Sequence, residues 1–160
     1  MAITQNENAA PIDSPSRRRL PPLLRRAWYG LNQAFRRRIA HLNLTPDQFT
    51  VMRTLLEADT RGLTQRELSR LMSSDPNTVA SLLERMEKAG HVERRPHETD
   101  RRAHRIRLLP KGRKTYEQAR AIALTLQSEV LSIVPENERE GFLENLVRVA
   151  DACRDAAERK

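Results

Sequence analysis

Residues 63–90, LTQRELSRLMSSDPNTVASLLERMEKAG, and residues 91–108, HVERRPHETDRRAHRIRL, decide the fold of this chain. The first segment contains two signals for the start of a helix, and its apolar residues recur at helical spacing. The second segment alternates apolar and charged residues with the period of a strand. We therefore predict two helices followed directly by a hairpin.

The two helix starts are visible as side chains that can satisfy free backbone N–H groups. Thr64 and Glu67 have the spacing of a capping box. Asp75 is a second capping residue, and Pro76 after it is tolerated at the first helical position. Gly90 is suited to end the longer helix in a left-handed turn. A short and a longer helix joined by a tight polar turn form a helix-turn-helix unit.

The hairpin carries an unusual concentration of positive charge. HRIRL (residues 104–108) alternates Ile106 and Leu108 with arginines, HVERR (residues 91–95) is its predicted partner strand, and PHETDR between them is the turn. Residues 94–108 contain six arginines. A charge run is usually a solvated face, but a hairpin that follows a helix-turn-helix unit favours contact with an anionic partner. We predict that this hairpin is a wing that contacts DNA.

Helices also flank this region on both sides. Each is predicted from apolar residues at three- and four-residue steps: residues 20–41, a helix opened by the capping box of Thr45 and Gln48 and closed at Gly62, residues 110–134, and a last helix after Pro135.

Composition limits the classes of function. The chain has 160 residues, a net charge of +8 and a pI of about 10.7, which indicates an anionic partner, nucleic acid first and a membrane surface second. Aromatic residues make up 4%, too few for a platform that stacks single-stranded bases. No apolar run reaches the length of a membrane span, and the N-terminus is polar. We expect a cytoplasmic protein.

Several segments together resemble the MarR family of bacterial transcriptional regulators. They are LTPDQFTVMRTL, GLTQRELSRLM, NTVASLLERMEKAGHVERR, and the wing signature DRRA with RIRLLPKG after it. The resemblance covers nearly the whole chain. It implies a mainly α fold in which a winged helix-turn-helix lobe is flanked by N- and C-terminal dimerisation helices.

This implied organisation gives four segments. Residues 1–16 are small and polar and are predicted to be a disordered arm, residues 17–43 a dimerisation helix, residues 44–109 the DNA-binding lobe, and residues 110–160 the C-terminal dimerisation helices. One helix-turn-helix unit buries too little surface to select a site in a genome, so a homodimer on a palindromic operator is expected.

The expected DNA contacts follow from a winged helix docked with its second helix in the major groove. In the resemblance, Asp100 ties the wing by pairing with Arg102, and Arg101 is free to probe the minor groove. The other expected contacts are polar or cationic: Ser73 and Ser74 at the turn, Asn77, Thr78, Ser81 and Arg85 on the longer helix, and Arg94, Arg95 and Arg105 on phosphates.

Members of the family commonly bind a small aromatic or phenolic acid and then release DNA, so the resemblance implies an aromatic carboxylate effector. A ring partner and a cation are the groups that such a ligand needs. Candidates for these roles are Trp28, Tyr29, His41, Phe49, Met52 and Arg53. Trp28 and Phe49 lie on apolar faces, where a place in the core is the better interpretation.

Other functions are less well supported by the sequence. No cofactor or metal is expected, because the four histidines are scattered, and no enzyme is expected, because there is no nucleophile elbow and no phosphate-cradling glycine loop. Cys153 raises the alternative of a redox-responsive regulator, although a packed thiol is favoured. The basic amphipathic residues 17–42 leave open a membrane- or partner-binding module.

Overall fold

The computed structural model describes residues 19–58, 61–100 and 102–159. Within them the chain is mainly helical, with one small antiparallel sheet. The elements in chain order are α1 (Leu20–Ile39), a 3₁₀ turn (Ala40–Leu42), α2 (Pro46–Glu57), β1 (Leu63–Thr64), α3 (Gln65–Leu71), α4 (Pro76–Lys88), β2 (Val92–Pro96), β3 (His104–Leu108), α5 (Pro110–Leu131), a second 3₁₀ turn (Glu136–Glu138) and α6 (Arg139–Glu158).

The chain divides into two compact units, residues 1–119 and residues 120–160, and the boundary falls inside α5. The predicted arm at residues 1–16 lies outside the described residues. No helix among the residues that the structure describes is both long and apolar enough to cross a membrane.

Both predicted capping boxes are confirmed. At the start of α2, the Gln48 N–H donates to Thr45 Oγ1 at 3.2 Å and the Thr45 N–H donates to Gln48 Oε1 at 2.9 Å. At the start of α3, the Glu67 N–H donates to Thr64 Oγ1 at 3.2 Å and the Thr64 N–H donates to Glu67 Oε2 at 2.7 Å. Because each start is fixed by side chains within three residues, local sequence is enough to set it.

The third helix start and the stop signal at Gly90 are confirmed, whereas α2 ends at Glu57, five residues before Gly62. Asp75 Oδ1 accepts hydrogen bonds from the N–H groups of Asn77 at 2.9 Å and Thr78 at 3.1 Å, so it caps α4. Gly62 and Gly90 have φ angles of 86° and 73°, the left-handed conformation that glycine adopts without steric cost.

The sheet has the order β1-β3-β2. β2 and β3 form the predicted hairpin, with Val92 opposite Leu108. β1 was not predicted: it is two residues long, with Leu63 opposite Ile106 and Thr64 opposite Arg105. Its pairing joins the start of α3 to the wing.

The core of the first unit lies between the helices and one face of the sheet. The amphipathic pattern of α4 is confirmed, because Val79, Leu82, Leu83 and Met86 are buried. Leu71, the last residue of α3, is 53% exposed. The other buried apolar side chains include Ile39, Val51, Met52, Leu68, Val92 and Ile106.

Three aromatic rings connect α1, α2 and the first half of α5. The Phe49 ring contacts Phe35 edge-on, with centroids 5.0 Å apart, and stacks on Tyr116 at 5.2 Å. All three side chains are buried. Such pairs contribute roughly 0.5–1.5 kcal/mol each beyond the area that they bury.

In contrast, α1 and the second unit leave apolar side chains uncovered. Trp28 was expected in the core, yet it is 63% exposed, and its neighbour Tyr29 is 66% exposed. No residue of α6 is buried, and Cys153, expected to be a packed thiol, is exposed. Burial of Trp28 and Cys153 was expected on the assumption that other parts of the same chain cover the apolar faces of α1 and α6.

His91 lies where α4, β2 and α5 meet. Its carbonyl oxygen accepts from the Leu109 N–H at 2.9 Å, and nearby the Lys111 Nζ donates to the Ala89 carbonyl at 2.6 Å. The residue is 6% exposed, and its Nδ1 has no hydrogen-bond partner among the described residues. Burial, with a smaller contribution from the Lys111 charge, lowers the pKa of the His91 imidazole.

We expect acid to destabilise the protein through His91. The unfolded chain protonates this ring below about pH 6.5, whereas the native chain resists protonation until its lowered pKa is reached, so stability falls as pH drops through that window. Urea unfolding between pH 7.5 and 5 measures this dependence. The His91→Gln variant is the control and should lose part of it; an identical pH dependence in both proteins would contradict the prediction.

Candidate nucleic-acid interface

The exposed face of α4 carries the side chains predicted to meet DNA. Asn77, Thr78, Ser81 and Arg85 are all exposed, opposite the buried apolar face of the same helix. The Arg85 Nε donates to the Ser81 carbonyl oxygen at 3.2 Å, which orients the guanidinium along the helix. The structure therefore collects these four candidates on one solvent-facing surface.

The turn between α3 and α4 brings two more candidates to the start of this surface. Ser73 is exposed and adopts a φ angle of 50°, unusual for a residue with a side chain. Ser74 is half-buried, with its N–H bonded to the Ser69 carbonyl oxygen at 2.9 Å. The Gln65 side-chain amide donates to the Pro76 carbonyl oxygen at 3.2 Å and so ties α4 to α3.

A groove of about 890 Å³ runs between α3 and the wing. We call it the α3–wing groove. Ser73, Ser74 and Pro76 line it at the start of α4, and the wing contributes Arg94 and residues 102–104. The remaining lining side chains come from β1, α3 and β3: Thr64, Gln65, Arg66, Glu67, Ser69, Arg70 and Ile106.

The only acid in this lining is already engaged. Glu67 Oε2 accepts from the Thr64 N–H at 2.7 Å and from the Thr64 hydroxyl at 2.8 Å. These hydrogen bonds, more than the charge of Arg105, hold the pKa of the Glu67 carboxyl below its usual value. The lining carries four arginines against this one carboxylate, so the groove is cationic.

The turn of the wing is closed by backbone hydrogen bonds to two side chains. Asp100 Oδ1 accepts from the Arg102 N–H at 2.9 Å, and His97 Nδ1 accepts from the N–H groups of Thr99 at 3.3 Å and Asp100 at 3.2 Å. Asp100 thus contacts Arg102 through the backbone, and no ion pair between these two side chains occurs. Arg101 lies outside the described residues.

The three strand arginines expected on phosphates all have carboxylate partners within the lobe. Arg94 Nε lies 3.5 Å from Glu87 Oε2, and Arg95 Nε lies 2.6 Å from Glu93 Oε1. The third, Arg105, has the least exposed side chain of the three.

Arg105 is held on two sides, and its side chain is only 15% exposed. Its Nε donates to Glu98 Oε2 at 2.8 Å and Oε1 at 3.1 Å, and a terminal nitrogen donates to the Gly62 carbonyl oxygen at 3.2 Å. The hydrogen bond from Arg105 is the main reason why the pKa of the Glu98 carboxyl is lowered.

Sequence reasoning missed the cations of α3. Arg66 and Arg70 are exposed and line the α3–wing groove, as does His104 of the wing. A signal was present, because two arginines four residues apart lie on one face of a helix. The resemblance, however, implied base and phosphate contacts only from the turn, the second helix and the wing.

The six predicted ligand residues divide between core and surface. Phe49 and Met52 are buried core side chains, so a ligand could reach them only after repacking. Trp28, Tyr29, His41 and Arg53 are exposed, and Arg53 Nε lies 4.0 Å from Glu57 Oε1 on the same helix. None of the six lines the α3–wing groove.

Comparisons with known proteins match this architecture. A family model described as the MarR family matches residues 42–103. BilQ, an HTH-type transcriptional regulator of Clostridium symbiosum, is 35% identical over 79 residues, 49% of this chain; the chain spans 55% of the length of BilQ. The transcriptional regulator HosA of Escherichia coli is 32% identical over 131 residues, which cover 79% of this chain and 95% of HosA.

Solved structures agree with the sequence relatives. The repressor CouR, known from Rhodococcus jostii and solved on a 23-mer DNA duplex, superimposes with a TM-score of 0.76 at 26% identity, covering 82% of this chain and 92% of CouR. The family and these relatives are transcriptional regulators and not enzymes. The winged helix-turn-helix fold and the relatives together confirm the resemblance read from the sequence: the chain belongs to the MarR family.

Proposed function

We propose that this protein is a transcriptional regulator that binds a palindromic DNA operator as a homodimer and acts as a repressor in the cytoplasm. The observation that carries the proposal is the exposed polar face of α4 beside the cationic α3–wing groove. A helix of this kind enters the major groove, where short polar side chains meet base edges. The DNA complex and the repressor description of CouR support it.

A homodimer explains the apolar side chains that the chain leaves uncovered. Trp28 and Tyr29 on α1 are exposed, and so are Phe142 and Val147 on α6. A second copy is the partner that a palindromic site requires, because two-fold symmetry in the protein matches two-fold symmetry in the operator.

Release by a small aromatic or phenolic acid is the regulatory part of the proposal. The guanidinium of Arg53 and the ring of His41 are exposed and lie outside the apolar set assigned to the dimer, so they are the candidates for such a ligand, whereas Phe49 and Met52 serve the core. A second solved structure of CouR, from a chain 21% identical to this one, is bound to p-coumaroyl-CoA.

The proposal is tested by gel-shift titration of the purified protein against the genomic DNA fragments that it retains. Asn77→Ala is expected to weaken binding by about 5- to 150-fold, since a base contact contributes roughly 1–3 kcal/mol. The Asn137→Ala variant is the matched control, because Asn137 is an exposed asparagine outside the DNA-binding lobe, and it should bind like the wild type.

Arg101→Ala should also weaken DNA binding severely in the same titration, while circular dichroism shows that the variant is folded.

Failure of the wild-type protein to bind any duplex at low ionic strength would overturn the proposal. Equal affinities of the Asn77→Ala and wild-type proteins would remove α4 from the interface. Repeating the titration with a panel of aromatic carboxylates tests the effector, which should release the DNA and raise the melting temperature of the protein.

A further inference from the structure

The arginines of the DNA-binding lobe differ in whether their charge is already matched. Arg95 and Arg105 have carboxylates at 2.6 Å and 2.8 Å from their Nε atoms. An arginine with such a partner must lose that ion pair, or share it, before it can bind a phosphate. The net gain from a new contact is correspondingly reduced.

Arg66 and Arg70 are in the opposite situation. Both are exposed on α3, and among the described residues neither guanidinium has a hydrogen bond or an ion pair. They are four residues apart on one face of α3, an arrangement of like charges that destabilises an isolated helix. The one acid of the groove lining, Glu67, accepts hydrogen bonds from Thr64 and forms no ion pair with either arginine.

The groove that they line is bordered by both elements expected on DNA. Pro76 lines the groove at the start of α4, and Arg102 and His104 line it on the wing. A DNA strand that passes from the major groove at α4 to the minor groove at the wing therefore has to cross this groove. Phosphate oxygens are the part of that strand that arginines bind without regard to sequence.

We propose that Arg66 and Arg70 bind backbone phosphates of the strand that crosses the α3–wing groove, whereas Arg95 and Arg105 hold the shape of the wing. The inference rests on the proposed function, because it requires α4 and the wing to face a duplex. It assigns phosphate contacts to α3, none of whose residues was among the expected DNA contacts.

The salt dependence of DNA affinity tests this assignment. In a dimer, replacing both arginines in Arg66→Gln/Arg70→Gln removes four phosphate contacts, so the slope of log K against log salt should fall by about 3.6. The loss of affinity between 50 and 200 mM salt should then be about 150-fold smaller than in the wild type. A retained fragment and an unrelated duplex should show the same change, because phosphate contacts are independent of sequence.

Arg95→Gln is the comparison: it removes one arginine per protomer from the same lobe, half the charge that the double variant removes, and should leave the slope unchanged. Circular dichroism and melting curves establish that all variants are folded. An unchanged slope in the double variant, or a fall of about 1.8 in Arg95→Gln, overturns the inference while the wild-type slope shows that the protein still binds DNA. A wild type that binds no duplex overturns the proposed function, and this inference with it.

Discussion

Phe49→Ala is expected to destabilise the protein by about 3–5 kcal/mol, the range for removing a buried aromatic side chain. Phe49 is enclosed between the rings of Phe35 and Tyr116, so its loss leaves a cavity between three helices. Urea unfolding at a fixed protein concentration measures the change, because a dimer's stability depends on concentration.

Leu71→Ala serves as the comparison for this variant. Leu71 belongs to the same compact unit but is largely exposed, so its truncation should change stability by no more than about 0.5 kcal/mol. A loss below about 1 kcal/mol in Phe49→Ala would show that the ring is not part of the core. Phe49 would then remain a candidate for contact with a ligand.

Gly62→Ala and Gly90→Ala form a second pair with different expected outcomes. Both glycines have left-handed φ angles, so a side chain at either costs about 1–2 kcal/mol. A Cβ at Gly62 would also overlap the Ile106 carbonyl oxygen and lie 2.9 Å from Arg107 Cγ, whereas at Gly90 its nearest neighbour is Lys111 Cδ at 3.9 Å.

The overlap should cost Gly62→Ala about 1–3 kcal/mol more than Gly90→Ala, as overpacking does in other tight sites. Thermal or urea unfolding of the two variants under identical conditions gives this difference directly. Equal losses would mean that the strand moves away from the added methyl group at no cost. The close approach of the loop to β3 would then have no energetic importance.

Local signals predicted the DNA-binding lobe well because its helices begin and end through short-range contacts. Thr45, Thr64 and Asp75 each bond to N–H groups two or three residues away, so neighbouring sequence determines where each helix starts. The buried face of α4 followed from spacing alone. The family resemblance, carried by the same segments, was confirmed by the comparisons.

What the sequence did not reveal depends on contacts between distant residues or on what covers a surface. β1 is two residues long, and its partner Ile106 is far along the chain, so no periodicity could identify it. Trp28 and Cys153 were expected to be buried because their stripes are apolar, but a stripe does not tell which molecule covers it. Likewise, the pairing of Arg105 with Glu98 needed the folded wing.

Thr64 belongs to two elements at once: it caps α3, and it pairs with Arg105 in the sheet. The hairpin is therefore connected to the helix-turn-helix unit in the protein alone, before DNA is bound. A binding surface that is already ordered before association loses little conformational entropy when it binds. Differences in affinity among operators should consequently appear as differences in residence time, with encounter rates nearly the same for all of them.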